Sequence, residues 1–172
     1  PGGSESMQLI DQLSITAADH SIDLPSAYFV PDDITRKKLV EALQRGVKIR
    51  IITPGDIIDT DTVRAASRGS WGPLLKAGAK IYEYQPTMYH CKVMIVDKLL
   101  VSVGSTNFDN RSFRLNDEAN LNIYDSAFAE QQSRIFEDDL RQAREVTYDE
   151  WAQRPLKEKL LERMALLLGS QL

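Results

Sequence analysis

The sequence predicts an α/β domain built on a mixed, largely parallel β-sheet with helices on both faces. Three features carry that expectation. Between residues 21 and 84, short apolar runs alternate with helical periodicity, and strand–helix–strand repeats pair in parallel through right-handed crossovers. Two strongly β segments, 92–97 and 99–103, follow with Lys98 alone between them, as a tight hairpin requires. The chain has 172 residues, of which 42% are apolar, enough for one domain with its own core.

Each element has its own signal. Residues 1–6 are Gly/Ser-rich and read as a linker or cloning remnant, a start that fits a piece of something longer. Residues 7–153 read as one domain and 154–172 as a separate amphipathic helix. Met7, Ile10, Leu13 and Ala17 repeat at helical spacing over 7–18. Ser21–Leu24 and Ala27–Val30 form one strand, kinked or bulged at Pro25. Pro31-Asp32-Asp33 opens a helix with an Asp N-cap, Leu39, Val40 and Leu43 face inward, and Gly46 closes it. Residues 47–52 are a strand stopped by Pro54-Gly55. Residues 56–70, with Asp56, Asp59 and Asp61, read as a mobile surface loop, and these acids as solvated residues or helix caps rather than metal ligands. Trp71–Ala77 is a short helix closed by Gly78, and 79–84 a strand. After the hairpin come a strand over 118–124 and a helix over 128–144 with Phe128, Ile135, Phe136 and Leu140 inward; Trp151 and Pro155 mark its end. In the last helix Leu156, Leu160, Leu161, Met164, Leu167 and Leu168 share one side, with Lys157, Lys159 and Arg163 on the other.

Bulk numbers exclude some functions. The net charge is −4 and the isoelectric point about 5.2, which disfavours non-specific nucleic-acid binding. The single cysteine, Cys91, rules out an internal disulfide and fits a reducing compartment; its neighbours read as a buried strand, so it is taken as packing. No apolar run reaches the roughly 18 residues of a membrane span, so this chain reads as soluble, and no signal peptide is apparent.

The chemistry concentrates in Tyr89-His90-Cys91-Lys92-Val93-Met94-Ile95-Val96-Asp97. In an extended chain His90 and Lys92 point the same way, roughly 6 to 7 Å apart. Such a pair suits a phosphate: the ammonium neutralises a non-bridging oxygen while the imidazole attacks phosphorus or moves a proton. Asp97 has the opposite parity and lies at the strand end, which fits a brace for the hairpin. Gly104-Ser105-Thr106-Asn107-Phe108-Asp109 follows. Gly104 permits close backbone approach, Ser105 and Asn107 can donate to a phosphoryl oxygen, and Arg111 and Arg114 add cationic reach. For Arg111, phosphate contact and a salt bridge to a nearby aspartate stand level. Glu118 can accept from one imidazole nitrogen and so fix the tautomer of a histidine. The catalytic candidates are therefore His90, Lys92, Asp97 and Glu118, and the phosphate-binding candidates Ser105, Asn107 and Arg111.

These spacings resemble the signature of the phospholipase D superfamily: His90, Lys92, Asp97, Gly104, Ser105, Asn107, Asp109 and Arg111 stand at matching offsets. Asn107-x-Asp109-x-Arg111-Ser112-Phe113-x-x-Asn116-x-Glu118, Tyr28-Phe29-Val30-Pro31-Asp32 and Tyr82-Glu83-Tyr84-Gln85-Pro86 are similar to its bacterial cardiolipin synthase branch. The likeness runs from about residue 7 to 165 and aligns with the C-terminal half of such a synthase, making 7–153 a phospholipase D-like catalytic domain. The resemblance implies a mixed sheet between helical layers. Two His-x-Lys motifs meet at one site near a pseudo-two-fold axis. One histidine becomes a phosphohistidine, and the other, assigned to His90 by analogy, protonates the leaving alcohol and activates the incoming one. No metal or other cofactor is implied. The implied substrate is phosphatidylglycerol, the product cardiolipin, and the setting a membrane surface at the cytoplasmic face of a bacterial inner membrane.

The chain departs from that pattern in holding one His-x-Lys; His20 is followed by Ser21 and Ile22. It is therefore half of a two-motif enzyme or a protomer whose two-fold dimer supplies the second histidine. Competing readings are a homodimeric phosphodiesterase or endonuclease of the same superfamily, and a catalytically inert isolated half. The terminal helix also has two readings that stand level: one lying on a lipid surface, the other docked on the domain or on a missing half.

Overall fold

The computed structural model describes residues 5–114 and 116–167. Expectations for residues 1–4, for the side chains of Arg114 and Leu167, and for Leu168 lie outside the described residues. The strands are β1 (Ser21–Pro25), β2 (Lys48–Pro54), β3 (Lys80–Tyr84), β4 (Val93–Val96), β5 (Leu100–Gly104), β6 (Asn120–Tyr124) and β7 (Ala143–Val146). They form one sheet in the order β6-β5-β4-β1-β2-β3-β7. The helices are α1 (Glu5–Ala17), α2 (Asp33–Gln44), α3 (Asp61–Ser70), α4 (Gly72–Lys76), α5 (Asn110–Arg114), α6 (Ser126–Leu140), α7 (Tyr148–Gln153) and α8 (Leu156–Leu167).

The sheet is mixed, as expected, but not largely parallel. Parallel pairing is confined to β1–β2 and β2–β3, joined by crossovers through α2 and then α3 and α4. The other pairings are antiparallel. The reason is connection length. Eight residues, 85–92, separate β3 from β4, fewer than the dozen or so a parallel crossover needs. β4 therefore enters beside β1 in the reverse sense.

Helices cover both faces. One face carries Ile22, Leu24, Ile49, Ile51 and Ile81 against Ile15, Leu39, Trp71 and Leu74. The other carries Ile52, Tyr82, Ile95 and Val101 against Ala129 and Phe136 of α6. The period-2 alternation of Ile51 and Ile52 onto opposite faces is what lets a single strand serve both layers. Asp32 caps α2, its carboxylate accepting from the Thr35 amide at 2.7 Å. Gly46 follows that helix at φ +95°, a left-handed conformation that favours glycine.

Three segments differ from expectation. Residues 61–70 are the helix α3, not a mobile loop: Val63, Ala66, Ser67 and Ser70 are buried at i, i+3, i+4 and i+7. Small residues make that stripe, so it reads as polar in sequence. The helix expected over 128–144 ends at Leu140, and Ala143–Val146 returns as an edge strand against β3, with Arg144 opposite Glu83. Ile135, expected inward, is 47% exposed; Ala129, Ser133 and Phe136 face the sheet instead. On α8 the shared apolar side exists but faces out: Leu156, Leu160, Leu161 and Met164 are all at least half exposed, while Glu162 and Ala165 are buried.

Candidate active site

Past Pro25 the chain leaves β1 and knits three segments together. Ser26 bridges Lys92, and the Ala27 amide donates to the Cys91 carbonyl at 2.7 Å. Just beyond, the Phe108 amide donates to Tyr28 O at 3.2 Å and the Val30 amide to Phe108 O at 2.8 Å. These contacts bring Tyr28, His90, Lys92 and the loop of Asn107 to one edge of the fold. His90 is exposed and lies in an irregular stretch just before the strand. The Tyr28 ring meets it edge-on, centroids 5.9 Å apart at 83°.

Lys92 is half-buried, and its Nζ donates to the His90 carbonyl at 3.2 Å. Burial pulls its ammonium below the usual lysine range, while the Cys91 thiol and the carboxylates of Glu118, Asp59 and Asp109 act in the opposite sense. Burial likewise pushes the Asp109 carboxyl up, although the Ser112 amide donates to it at 2.7 Å. Cys91 is a half-buried thiol pushed up by burial, a setting that suits packing rather than nucleophilic use.

Gly104 is required where it stands: a Cβ there would lie 2.1 Å from Ala119 O and 2.2 Å from Asn120 Oδ1. This close approach lets the Ser105 hydroxyl accept from the Ala119 amide at 3.1 Å. Asn107 donates to Ser112 Oγ at 3.4 Å, and Ser112 Oγ donates to Glu118 Oε1 at 3.2 Å. Asn116 also donates to Glu118, at 3.1 Å. The described partners of Glu118 are thus Ser112 and Asn116 rather than His90. Buried Asn107 Oδ1 and Thr106 Oγ1 have no hydrogen-bond partner among the described residues; such orphaned atoms call for one. Arg111 is exposed, and its guanidinium forms no ion pair among the described residues.

Asp97 stands apart from this group. It lies at the far end of β4 in the hairpin turn, with Asp97 at φ 52° and Lys98 at φ 53°. Its carboxylate accepts from the amides of Asp19, His20 and Ser21 at 2.9, 2.8 and 2.8 Å. Burial tends to raise its pKa, but those three donors outweigh it and hold the carboxyl below the ordinary range. The motif's aspartate braces the turn against the end of α1.

Asp59, expected as a solvated residue or helix cap, is exposed but has a partner near the site. It accepts from the Tyr28 hydroxyl at 2.5 Å; burial first, then this bond, push the phenol up to about 12. No sequence pattern marks Asp59, because its partner is 31 residues away. Among the described residues no group of three or more His, Cys, Asp or Glu is placed to hold a metal ion.

A mixed seven-stranded sheet with the His-x-Lys segment and the Gly104 loop at one edge defines the phospholipase D-like class. The family model described as "Cardiolipin synthase, PLD-like domain" matches residues 11–140, and the chain belongs to that family. It is 40% identical over 155 residues to the cardiolipin synthase of Geobacillus sp. (strain WCH70), covering 90% of this chain and 31% of that protein. It is 39% identical over 155 residues to the major cardiolipin synthase ClsA of Bacillus subtilis (strain 168), covering 90% and 32%. The chain thus spans about a third of the length of these curated relatives. Among solved structures, phosphatidylserine synthase of Haemophilus influenzae Rd KW20 matches with TM-score 0.77 and 18% identity over 99% of this chain and 46% of that one. Nuc of Salmonella typhimurium, a phospholipase D family member, matches with TM-score 0.71 and 25% identity over 81% and 90%.

Proposed function

We propose that this chain supplies one of two His-x-Lys halves of a phosphatidyltransferase that makes cardiolipin from phosphatidylglycerol. The observation that carries this reading is the open cluster of His90, Lys92 and the orphaned Asn107 oxygen in a chain 40% and 39% identical over 155 residues to two cardiolipin synthases. An imidazole nitrogen attacks the phosphorus of one phosphatidylglycerol. The phosphorus–oxygen bond to glycerol breaks, and the second histidine protonates the departing alkoxide. That histidine then takes the proton of a hydroxyl on another phosphatidylglycerol, whose oxygen displaces the imidazole and completes cardiolipin. His90 is the acid and base in this scheme, and the other half supplies the nucleophile. Lys92 neutralises the non-bridging oxygens, with Ser105, Asn107 and Arg111 bordering the phosphate. Glu118, tied to Asn107 through Ser112, places a carboxylate near Lys92 whose charge opposes the effect of burial on that ammonium.

The test is a chimera in which this chain replaces the matched third of the Geobacillus protein, supplied with phosphatidylglycerol vesicles and read by mass spectrometry. Cardiolipin formation that disappears with His90→Ala is the expected result; unchanged formation in the variant overturns the reading.

A second reading, a phosphodiesterase made of two copies of this chain, draws on the match to 90% of the length of Nuc. Metal-independent cleavage of a phosphodiester such as plasmid DNA by this chain alone, as a two-fold dimer, would favour it over the first.

A further inference from the structure

We infer that the outward face of α8 is a docking surface for an anionic lipid membrane. This deepens the proposed function, on which the choice of an anionic lipid rests. At 100° per residue, Leu156, Leu160 and Met164 fall on one line of the helix, and they are 81%, 61% and 57% exposed. Contiguous apolar exposure of this kind marks an interaction face. Lys157 and Arg163 flank that line, one on each side, and both are exposed. Neither has a carboxylate partner among the described residues.

Of the two acids of the same helix, Glu162 turns inward, while Glu158 stays half exposed on the side away from that line. Glu162 is 3% exposed and is paired with Arg154 and, at 3.7 Å, with Arg68. Glu158 leans toward Arg68 at 4.0 Å. A segment whose charges nearly cancel in sequence thus folds into a helix with a neutralised inner side and a cationic, apolar outer side. That pattern complements a surface of anionic headgroups above an acyl layer. Depth and position agree. Ala165 and Leu166 of α8 pack with Val63 and Ala66 of α3 and with Tyr28, and the Tyr28 ring touches His90. Tyr28 is thus shared between the apolar cluster beneath α8 and the surroundings of His90.

The experiment is co-sedimentation of the 172-residue chain with phosphatidylglycerol vesicles and, separately, phosphatidylcholine vesicles. Binding to the first, weakening with salt and exceeding binding to the second, is expected. The variant Leu156→Ser/Leu160→Ser/Met164→Ser is expected to bind at least about tenfold more weakly with an unchanged melting curve. Lys157→Glu/Arg163→Glu, which leaves all packing intact, is expected to lose the salt-dependent part. The inference is overturned if the unaltered chain ignores phosphatidylglycerol vesicles, or if both variants bind as it does. It is also overturned if the face instead holds two copies together, seen as a dimer that the triple serine variant splits and vesicles do not. The His90→Ala chain is expected to bind vesicles normally. Full binding without turnover in the chimera therefore counts against the catalytic reading while supporting the docking surface.

Discussion

The two ends of β4 carry parts of one sequence motif and have opposite characters. At the entry end His90 is exposed, Lys92 is held between burial and three carboxylates, and Asn107 keeps a buried oxygen without a partner among the described residues. At the exit end Asp97 accepts three backbone donors and is committed to them. Unsatisfied polar groups are costly to stability and are kept where a ligand supplies the missing partner. Satisfied ones hold a turn in place. Membership of one motif therefore does not imply one role. The entry end keeps groups open for the proposed chemistry, and the exit end sets the hairpin on which they are mounted.

The sharpest break of this comparison is His90→Ala. In the chimera it is expected to lower turnover by at least about a thousandfold and to leave the melting temperature unaltered, since the side chain is exposed. A large loss of stability would mean that the entry end is structural after all. Gly104→Ala comes next. Its Cβ meets backbone at 2.1 Å, so denaturant unfolding is expected to show a loss of about 1 to 3 kcal/mol, with Lys92 and the Ser105 loop displaced and activity reduced alongside.

Asp97→Asn tests the exit end. It is expected to cost about 1 to 2 kcal/mol at neutral pH, discounted for partial exposure, while turnover of the folded protein persists. The sign with pH follows from a carboxyl held low in the folded state. Its contribution is complete above the unfolded value near about 3.9 and is lost as pH falls through the lower folded value. Urea unfolding at pH 7 and at progressively acid pH should therefore show the gap between the two proteins closing only in acid. The smallest effect is at Glu118. Burial lowers the Lys92 ammonium and the Glu118 charge opposes that shift. Glu118→Gln is expected to lower the Lys92 value further and move the alkaline limb of the pH–rate profile to lower pH, a change that a purely structural glutamate would not produce.

Much of the fold was legible. Asp32 capping α2, Gly46 and Gly78 ending helices, and the hairpin at Lys98 are local chemistry, and each is found where its residues placed it. Strand character overstates the parallel share of the sheet, because connection length decides direction. α3 reads as a loop because its buried stripe is one valine, one alanine and two serines. β7 reads as helix in sequence because its pairing with β3 lies some sixty residues away, as in Arg144 with Glu83. At the candidate site, His90, Lys92, Gly104, Ser105 and Asn107 are legible through spacing alone. The contact of Asp59 with Tyr28 is not legible, since only the folded chain brings the two together.

By itself, then, the order of residues determined the chemistry-bearing segment, its caps and turns, and the family, because these depend on neighbours within a few positions. Tertiary structure alone decided which end of β4 stays open, which carboxylates surround Lys92, and which side of α8 meets solvent. Those depend on desolvation and on partners distant in sequence: the same Glu162 that balances charge along the chain is, once folded, buried against Arg154 and Arg68, and leaves the cations outside.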